Sequence, residues 1–413
     1  MTAGRVLFVT GPGGDGTTTV AAATALAAAR AGHPTLLLSR ESPAGLAALT
    51  GAAPPAWPAE PDEPAPGLHV AATDQAARFR AGVLAAQRYA RPTLDALGAV
   101  TLDDDELTDL PGAGAAALLT ALRAAHATGR WQWIVVDLPP AADAVRLLAL
   151  PAQLRRYLRR LLPRERQAAG SLRPLLAQLA GVPLPAEGLY ESADRWDAAL
   201  AALRELTEGP GAAVRLVLDP GDRSAGVLRA ARAGLALHGL AIESLVANRL
   251  LPAHSPDPWL ASLAERQRAA LDGVTAATGL VAPHLVPRLV REPGLADLAE
   301  LFVPPPREPG RAARSEPEIE DRLAADGVLV WRLSLPGAVR ADLGLVRRGD
   351  ELVVDAGPFR RVLPLPAALR RCAVAGASFE GASFGRHAGL AVRFAPDPDR
   401  WPESTLNGQP PFG

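Results

Sequence analysis

The stretch from Arg5 to Thr19 constrains this chain more than any other. Arg5-Val-Leu-Phe-Val-Thr10 has the length and apolar content of a buried strand, Gly11-Pro-Gly-Gly-Asp-Gly16-Thr-Thr-Thr19 follows directly, and an alanine-rich helical run begins at its end. A strand, a glycine loop and a helix N-terminus in that order suit an anion, because backbone N–H groups and the helix dipole converge on one point. Gly11 and Gly16 keep the G-x-x-x-x-G spacing of a phosphate loop, and Thr18 holds the position whose hydroxyl binds magnesium there. Gly13, Gly14, Thr17 and Thr19 complete the candidate cradle for ATP or ADP. Glycines at 11, 13, 14 and 16 do not fit the G-x-G-x-x-G register of a Rossmann dinucleotide site.

Charge is what the loop lacks. The motif's lysine would follow Gly16, where this chain has Thr17, and Asp15 adds a carboxylate nearby. A unit charge about 4 Å from a phosphate oxygen contributes roughly 4 kcal/mol at an effective dielectric of about 20. Its loss affects hydrolysis more than binding, since the lysine stabilises charge that develops in the transition state.

Composition narrows the partners. The 413 residues suffice for two domains, and a formal net charge of −1 points to neither nucleic acid nor an acidic membrane. The chain is lysine-free: all 43 basic residues are arginine, which reads first as composition bias. Bias alone would leave arginine at a needed cation, yet the relevant positions are Pro12 and Thr17. The single cysteine, Cys372, excludes an internal disulfide and a cysteine-based zinc site within one chain. No run reaches the roughly 18 apolar residues of a spanning helix. The N-terminus opens on a strand instead of a signal core, so a cytoplasmic protein is expected and not an integral membrane one. The sequence shows no nucleophile triad, and its seven histidines lack metal spacing. Asp103-Asp-Asp-Glu106 reads as a solvated helix start in preference to a metal cluster.

With sites further along, the loop resembles that of the ArsA family, the arsenite-pump and tail-anchored-protein-targeting ATPases, which reads G-K-G-G-V-G-K-T-T. Here Pro12 replaces the family's signature lysine, which reaches across a homodimer to the partner's nucleotide, and Thr17 replaces its loop lysine. Leu36-Leu-Leu-Ser-Arg-Glu-Ser-Pro-Ala44 resembles the family's switch I, L-L-x-S-T-D-P-A. The carboxylate that orients water in the family falls on Ser42, with Glu41 next door as a partial substitute. Ile134-Val-Val-Asp137-Leu-Pro-Pro140, running on to Val145-Arg-Leu-Leu-Ala-Leu-Pro151, is similar to switch II. That likeness makes Asp137 a magnesium ligand beside Thr18 and, with Glu41 and Ser42, a catalytic candidate, although the polar switch residues have become Ala141, Ala142 and Asp143. Val214-Arg-Leu-Val-Leu218 and Leu245-Val-Ala-Asn248-Arg-Leu-Leu-Pro252 look like the next two core strands, with Asn248 at the adenine-reading position.

The resemblance implies an α/β fold, a P-loop NTPase parallel sheet with helices on both faces, over residues 1–303, with a helical subdomain at about 150–208. In that subdomain Leu154, Leu158 and Leu161, then Leu172, Leu175, Leu176 and Leu179, recur at helical spacing, and Arg155, Arg156, Arg159, Arg160, Arg164 and Arg166 line the first helix's remaining surface. In the family this region forms a hydrophobic groove for clients; ordinary packing on the sheet is an equal alternative. Residues 52–67 read as an irregular, mobile surface loop, and 304–322 as a proline-rich linker. Short strands at Val328–Leu333, Leu343–Val346, Glu351–Val354, Phe359–Leu363 and Gly389–Phe394 predict a small C-terminal β-sandwich over 323–398, before a tail at 399–413. The run from Phe359 to Leu369 resembles the arginine and Leu-Pro phrase of small heat-shock α-crystallin domains.

Three functions are open on these grounds. One is a degenerate homodimeric pseudo-ATPase that binds a hydrophobic client or partner. A second is a working ATPase whose cation comes from Arg40 or Arg146, and a third is a nucleotide-independent structural adaptor. Arsenite is disfavoured as a cargo, because the family's pump ATPases hold it with several thiolates and this chain has one.

Overall fold

A computed structural model describes residues 4–96, 100–108, 112–161, 187–278, 280, 283–301, 303–306, 317–380 and 388–398. The chain begins with β1 (Arg5–Thr10), α1 (Thr17–Arg30), β2 (Thr35–Ser39) and α2 (Pro43–Thr50). It continues through β3 (Asp62–Ala65), β4 (Leu68–Ala72), α3 (Gln75–Ala96), α4 (Ala113–Ala127), β5 (Trp133–Asp137), α5 (Ala141–Leu161) and α6 (Glu187–Glu208). The unit is completed by β6 (Ala212–Leu218), α7 (Ser224–Leu237), β7 (Ile242–Leu250), α8 (Pro258–Thr278), β8 (His284–Pro287) and α9 (Leu295–Glu300). Eight strands form one sheet in the order β3-β4-β2-β5-β1-β6-β7-β8, parallel throughout except for β3, which runs antiparallel to β4.

Side-chain alternation explains why the central strands are apolar from end to end. On β1, Val6 and Phe8 face one core while Leu7 and Val9 face the other, and all four are buried. Such a strand, covered on both faces, has no solvent side to carry polar residues. One core is closed by α1, α2 and α9, the other by α4, α5 and α7. Helix α1 is alanine-rich because it is buried on most of its circumference, from Val20 through Ala29. β1 connects to β2 on one side of the sheet and β5 to β6 on the other, so the direction reverses at the β1–β5 pair, and ligands bind at the carboxyl ends of strands at such a point.

The C-terminal unit consists of β9 (Glu318–Arg322), α10 (Leu323–Asp326), β10 (Val328–Ser334), β11 (Leu343–Arg348), β12 (Glu351–Ala356), β13 (Phe359–Pro364), α11 (Ala367–Arg370), β14 (Cys372–Glu380) and β15 (Gly389–Pro396). Two antiparallel sheets, β14-β15-β10-β9 and β11-β12-β13, make the small sandwich. It docks on α7: a Cβ at Gly234 would lie 2.5 Å from Phe359 Cδ2, so only glycine lets that ring meet the helix here. Arg361 Nη1 donates to the Leu237 carbonyl at 2.7 Å, and Arg229 Nη1 to the Gly337 carbonyl at 3.1 Å.

Several expectations change. The run at 52–67 is not a loose loop: Trp57 is buried, Ala56 bridges to Ala72, and β3 adds an edge strand to the main sheet. The last five residues of the expected 304–322 linker are β9, paired with β10, and its first residues are tied down by Arg215, which donates to the Pro304 carbonyl at 2.8 Å. β14 was not among the expected strands. The helical region starts earlier than 150, because α5 runs unbroken from Ala141 through Pro151. Leu172, Leu175, Leu176, Leu179, Arg164, Arg166 and the tail at 399–413 lie outside the described residues. Asp104–Glu106 form one 3-10 turn with a capping box at Asp103, and no metal-holding cluster occurs among the described residues. No described helix is long and apolar enough to cross a membrane.

Candidate functional site

The loop after β1 opens into a cavity of about 350 Å³ lined by Gly13, Gly14, Gly16, Thr17 and Thr18, by Arg40 and Glu41 after β2, by Asp137 to Pro140 after β5, and by Arg249 at the end of β7. Four strand ends therefore contribute. Gly13, Gly14 and Gly16 have φ values of +115°, +79° and +79°, a left-handed conformation that glycine adopts without a Cβ clash. A Cβ at Gly14 would meet nothing within 4 Å, so the cradle lies open.

At its floor, the Thr18 hydroxyl donates to Asp137 Oδ2 at 2.9 Å, and the Ser39 hydroxyl donates to the same oxygen at 2.7 Å. Asp137 is buried, and burial pushes its carboxyl up to about 6 against the downward pull of the Ser39 and Thr18 hydroxyls. Hard oxygen donors from Thr18 and Asp137, beside an open glycine cradle, fit a magnesium ion carried by a nucleotide. Bound there, magnesium would neutralise phosphate charge; the chain's own contribution is to hold two oxygens ready at the mouth of the loop.

Asp15 does not face the cavity. Its carboxylate turns under the loop, where Oδ2 accepts the Gly13 N–H at 2.8 Å and Oδ1 the Asp219 N–H at 2.9 Å. Burial raises its carboxyl above the ordinary range, partly offset by those two N–H bonds. Two neighbours at the end of β7 grip the loop from the other side. Asn248 Nδ2 donates to the Asp15 carbonyl at 2.8 Å, and Arg249 Nη1 to the Gly14 carbonyl at 2.6 Å. Arg249 also lies 3.7 Å from Asp219 and takes φ 58°, the one left-handed non-glycine residue among those described.

Of the residues singled out in the sequence, Gly13, Gly14, Gly16, Thr17, Thr18, Glu41 and Asp137 meet at this cavity, while Gly11, Thr19, Ser42 and Asn248 do not line it. Gly11 is buried against the Val217 carbonyl, where a Cβ would clash. Ser42 caps α2, its hydroxyl accepting the Gly45 N–H at 3.0 Å and donating to Glu41 Oε1 at 3.1 Å. Arg146 is corrected as a substitute cation: it sits one turn into α5, paired with Asp143 at 3.0 Å, and does not line the cavity. Ser39 and Arg249 were missed. Both lie within quoted motifs, but nothing in the local pattern marks a strand-end serine or arginine as facing a site.

Comparison with known proteins agrees with this geometry. The model of the anion-transporting ATPases, ArsA, matches residues 4–282. The chain belongs to the ArsA ATPase family. A second model, the HSP20-like domain found in ArsA, matches residues 326–384, within the sandwich. An uncharacterised protein of Streptomyces coelicolor is 51% identical over 400 residues, covering 96% of this chain and 99% of its own length. A protein of Mycobacterium tuberculosis is 33% identical over 427 residues, covering 96% and 97%. A protein of Aquifex aeolicus named "Putative arsenical pump-driving ATPase 1" is 24% identical over 386 residues, covering 89% and 95%. The ArsA match spans β1 to β7 of the main sheet and the loop after β1, where this chain carries Pro12 and Thr17.

Proposed function

We propose that this ArsA homologue binds magnesium nucleotide weakly, hydrolyses it slowly or not at all, and works as a homodimer that holds a hydrophobic protein client or partner. The observation that carries the reading is the pairing of a kept Thr18–Asp137 oxygen site with a loop that offers Thr17 where the lysine belongs. The family's water-orienting position, Ser42, is used as a helix cap, and Glu41, which lines the cavity, accepts from Ser42 through Oε1.

The client half draws on α5 and α6. Leu154, Tyr157 and Leu161 are exposed at i, i+3 and i+7 on α5, and Trp196 is exposed on α6. Arsenite does not fit as the cargo. Cys372 is buried on its own, and burial raises its thiol to about 11, far from a thiolate cluster.

Calorimetric titration with ADP and ATP plus magnesium, together with steady-state phosphate release, tests the reading. Binding without turnover supports it. Brisk turnover that Thr18→Ala abolishes overturns the inactive half, and no binding heat or thermal shift with either nucleotide favours an adaptor. One observation favours the active alternative: Arg40 and Arg249 both line the loop cavity, so two guanidinium groups stand near where phosphates would lie.

A further inference from the structure

Between the helices and the sandwich, three carboxylates are each shared by two guanidinium groups. Asp197 on α6 accepts from Arg155 at 2.9 and 3.1 Å and from Arg159 at 2.9 and 3.2 Å. Glu351 on β12 accepts from Arg156 at 2.8 and 2.6 Å and from Arg160 at 2.9 Å. Glu208, at the end of α6, accepts from Arg204 at 2.9 Å and lies 3.9 Å from Arg361 of β13. All six arginines line one hollow of about 590 Å³, which shares Arg155, Arg204, His238, Arg361 and Leu363 with an adjoining hollow of about 380 Å³. Arg360 also lines the hollow and pairs with Asp355; counting Glu205 of the second hollow as a further carboxylate, the described groups still leave two positive charges unbalanced.

Unbalanced guanidinium groups in a hollow repel one another, and burial weakens their solvation as well. Burial holds the Arg361 guanidinium below its ordinary range, opposed by Glu208 and reinforced by the charge of Arg204. Burial and then Arg361 push His238 down to about 3, so that it adds no further charge at neutral pH. The arginines of α5 are spaced i, i+4 in two rows, Arg155 with Arg159 and Arg156 with Arg160, each pair gathered on one carboxylate. Guanidinium forks bind oxyanions through paired N–H donors, a geometry that carboxylate and phosphate share. The hollow also has apolar lining, from Ala149 and Ala152 earlier on α5 and from Val362, Leu363 and Pro364 of β13.

We propose that this interdomain hollow binds a small organic phosphate carrying two or more negative charges, its phosphate groups on the arginine rows and its organic body on the apolar lining. The hollow has the size of a small-molecule site. It shares no lining residue with the phosphate-loop cavity, so the assignment is independent of whether nucleotide binds there. A ligand held between α5 and β13 would bridge the sandwich to the helix that begins at the loop, where the Ala141 N–H donates to the Gly11 carbonyl at 2.8 Å.

Inorganic pyrophosphate is the probe, titrated calorimetrically into the full chain without magnesium. Arg159 and Arg160 are the more exposed members of their pairs, at 51% and 67%, so the double change Arg159→Gln with Arg160→Gln leaves Asp197 bonded to Arg155 and Glu351 to Arg156. The double variant is expected to weaken pyrophosphate at least about tenfold, whereas Thr18→Ala with Arg249→Ala leaves this binding event in place. Hydrogen exchange on the unaltered protein is expected to slow across residues 155–161 when the probe is added. Loss of binding in the loop variant alone, tight binding of an acidic peptide with none of pyrophosphate, or unchanged exchange in α5 would each overturn the assignment.

Discussion

The Thr18 hydroxyl and Asp137 Oδ2 lie 2.9 Å apart across the gap between the phosphate loop and the end of β5. Neither side chain needs the other for folding, since Asp137 keeps Ser39 as a donor. Thr18→Ala is therefore expected to weaken magnesium-dependent ADP binding by about tenfold, the scale of one charge-assisted hydrogen bond, with little change in magnesium-free titrations. Calorimetry with and without magnesium reads the difference; equal losses in both would remove Thr18 from the metal site.

Arg249 carries backbone strain and a loop contact at once. A left-handed non-glycine residue costs roughly 1–2 kcal/mol, so Arg249→Gly is expected to hold or raise the melting temperature while removing the guanidinium from the Gly14 carbonyl. Nucleotide affinity is expected to fall by about fivefold or more in Arg249→Gly and in Arg40→Ala if these groups serve in place of lysine. Unchanged affinity in both variants would dismiss the arginine-assisted reading.

Arg215 is a charge enclosed in the sheet. Its side chain is 0% exposed, pairs with Glu243 at 2.9 Å, and donates to the Thr24 hydroxyl and the Pro304 carbonyl at 2.8 Å each. Arg215→Met takes the guanidinium from the buried Glu243 carboxylate, and urea unfolding is expected to show a loss of about 3–5 kcal/mol. Adding Glu243→Leu is expected to recover much of that loss, because the buried carboxylate goes with its countercharge.

His238 sets a pH window. It titrates near 3 in the fold and near 6.5 unfolded, so between those values the unfolded chain binds a proton that the folded chain refuses. The contribution is fully present above pH 6.5 and is lost as pH falls toward 3. Thermal melts at pH 7.5 and pH 5 are expected to differ less in His238→Gln than in the natural chain, by up to roughly 2 kcal/mol. A larger acid sensitivity in the variant would contradict the assignment.

The loop frame, β1, β2 and five strands of the sandwich were legible because their signals are local, whereas β5, β6 and β7 were read from the resemblance to ArsA phrases. An apolar run covered on both faces, a glycine register and a period of two all survive without knowledge of neighbours. β9 was not legible: Glu318-Ile-Glu-Asp-Arg322 has four charged residues in five and becomes a strand only because β10 lies beside it, with Arg332 bonded to Glu320 and Glu380. β3 was hidden in the same way by Pro64 and its proline-rich flanks, since an edge strand needs hydrogen bonds on one side alone.

By itself, the sequence determined that glycines stand at phosphate-loop spacing after a buried strand and that lysine is absent from that loop, because residue identity and spacing are properties of the chain. Tertiary structure alone decided the charge around that loop. Parallel register brings Arg40 and Arg249 to the cavity from separate strand ends, sends Arg146 off with Asp143, and turns the Asp15 carboxylate beneath the loop. Direction and distance govern an electrostatic field, and no linear spacing records either of them.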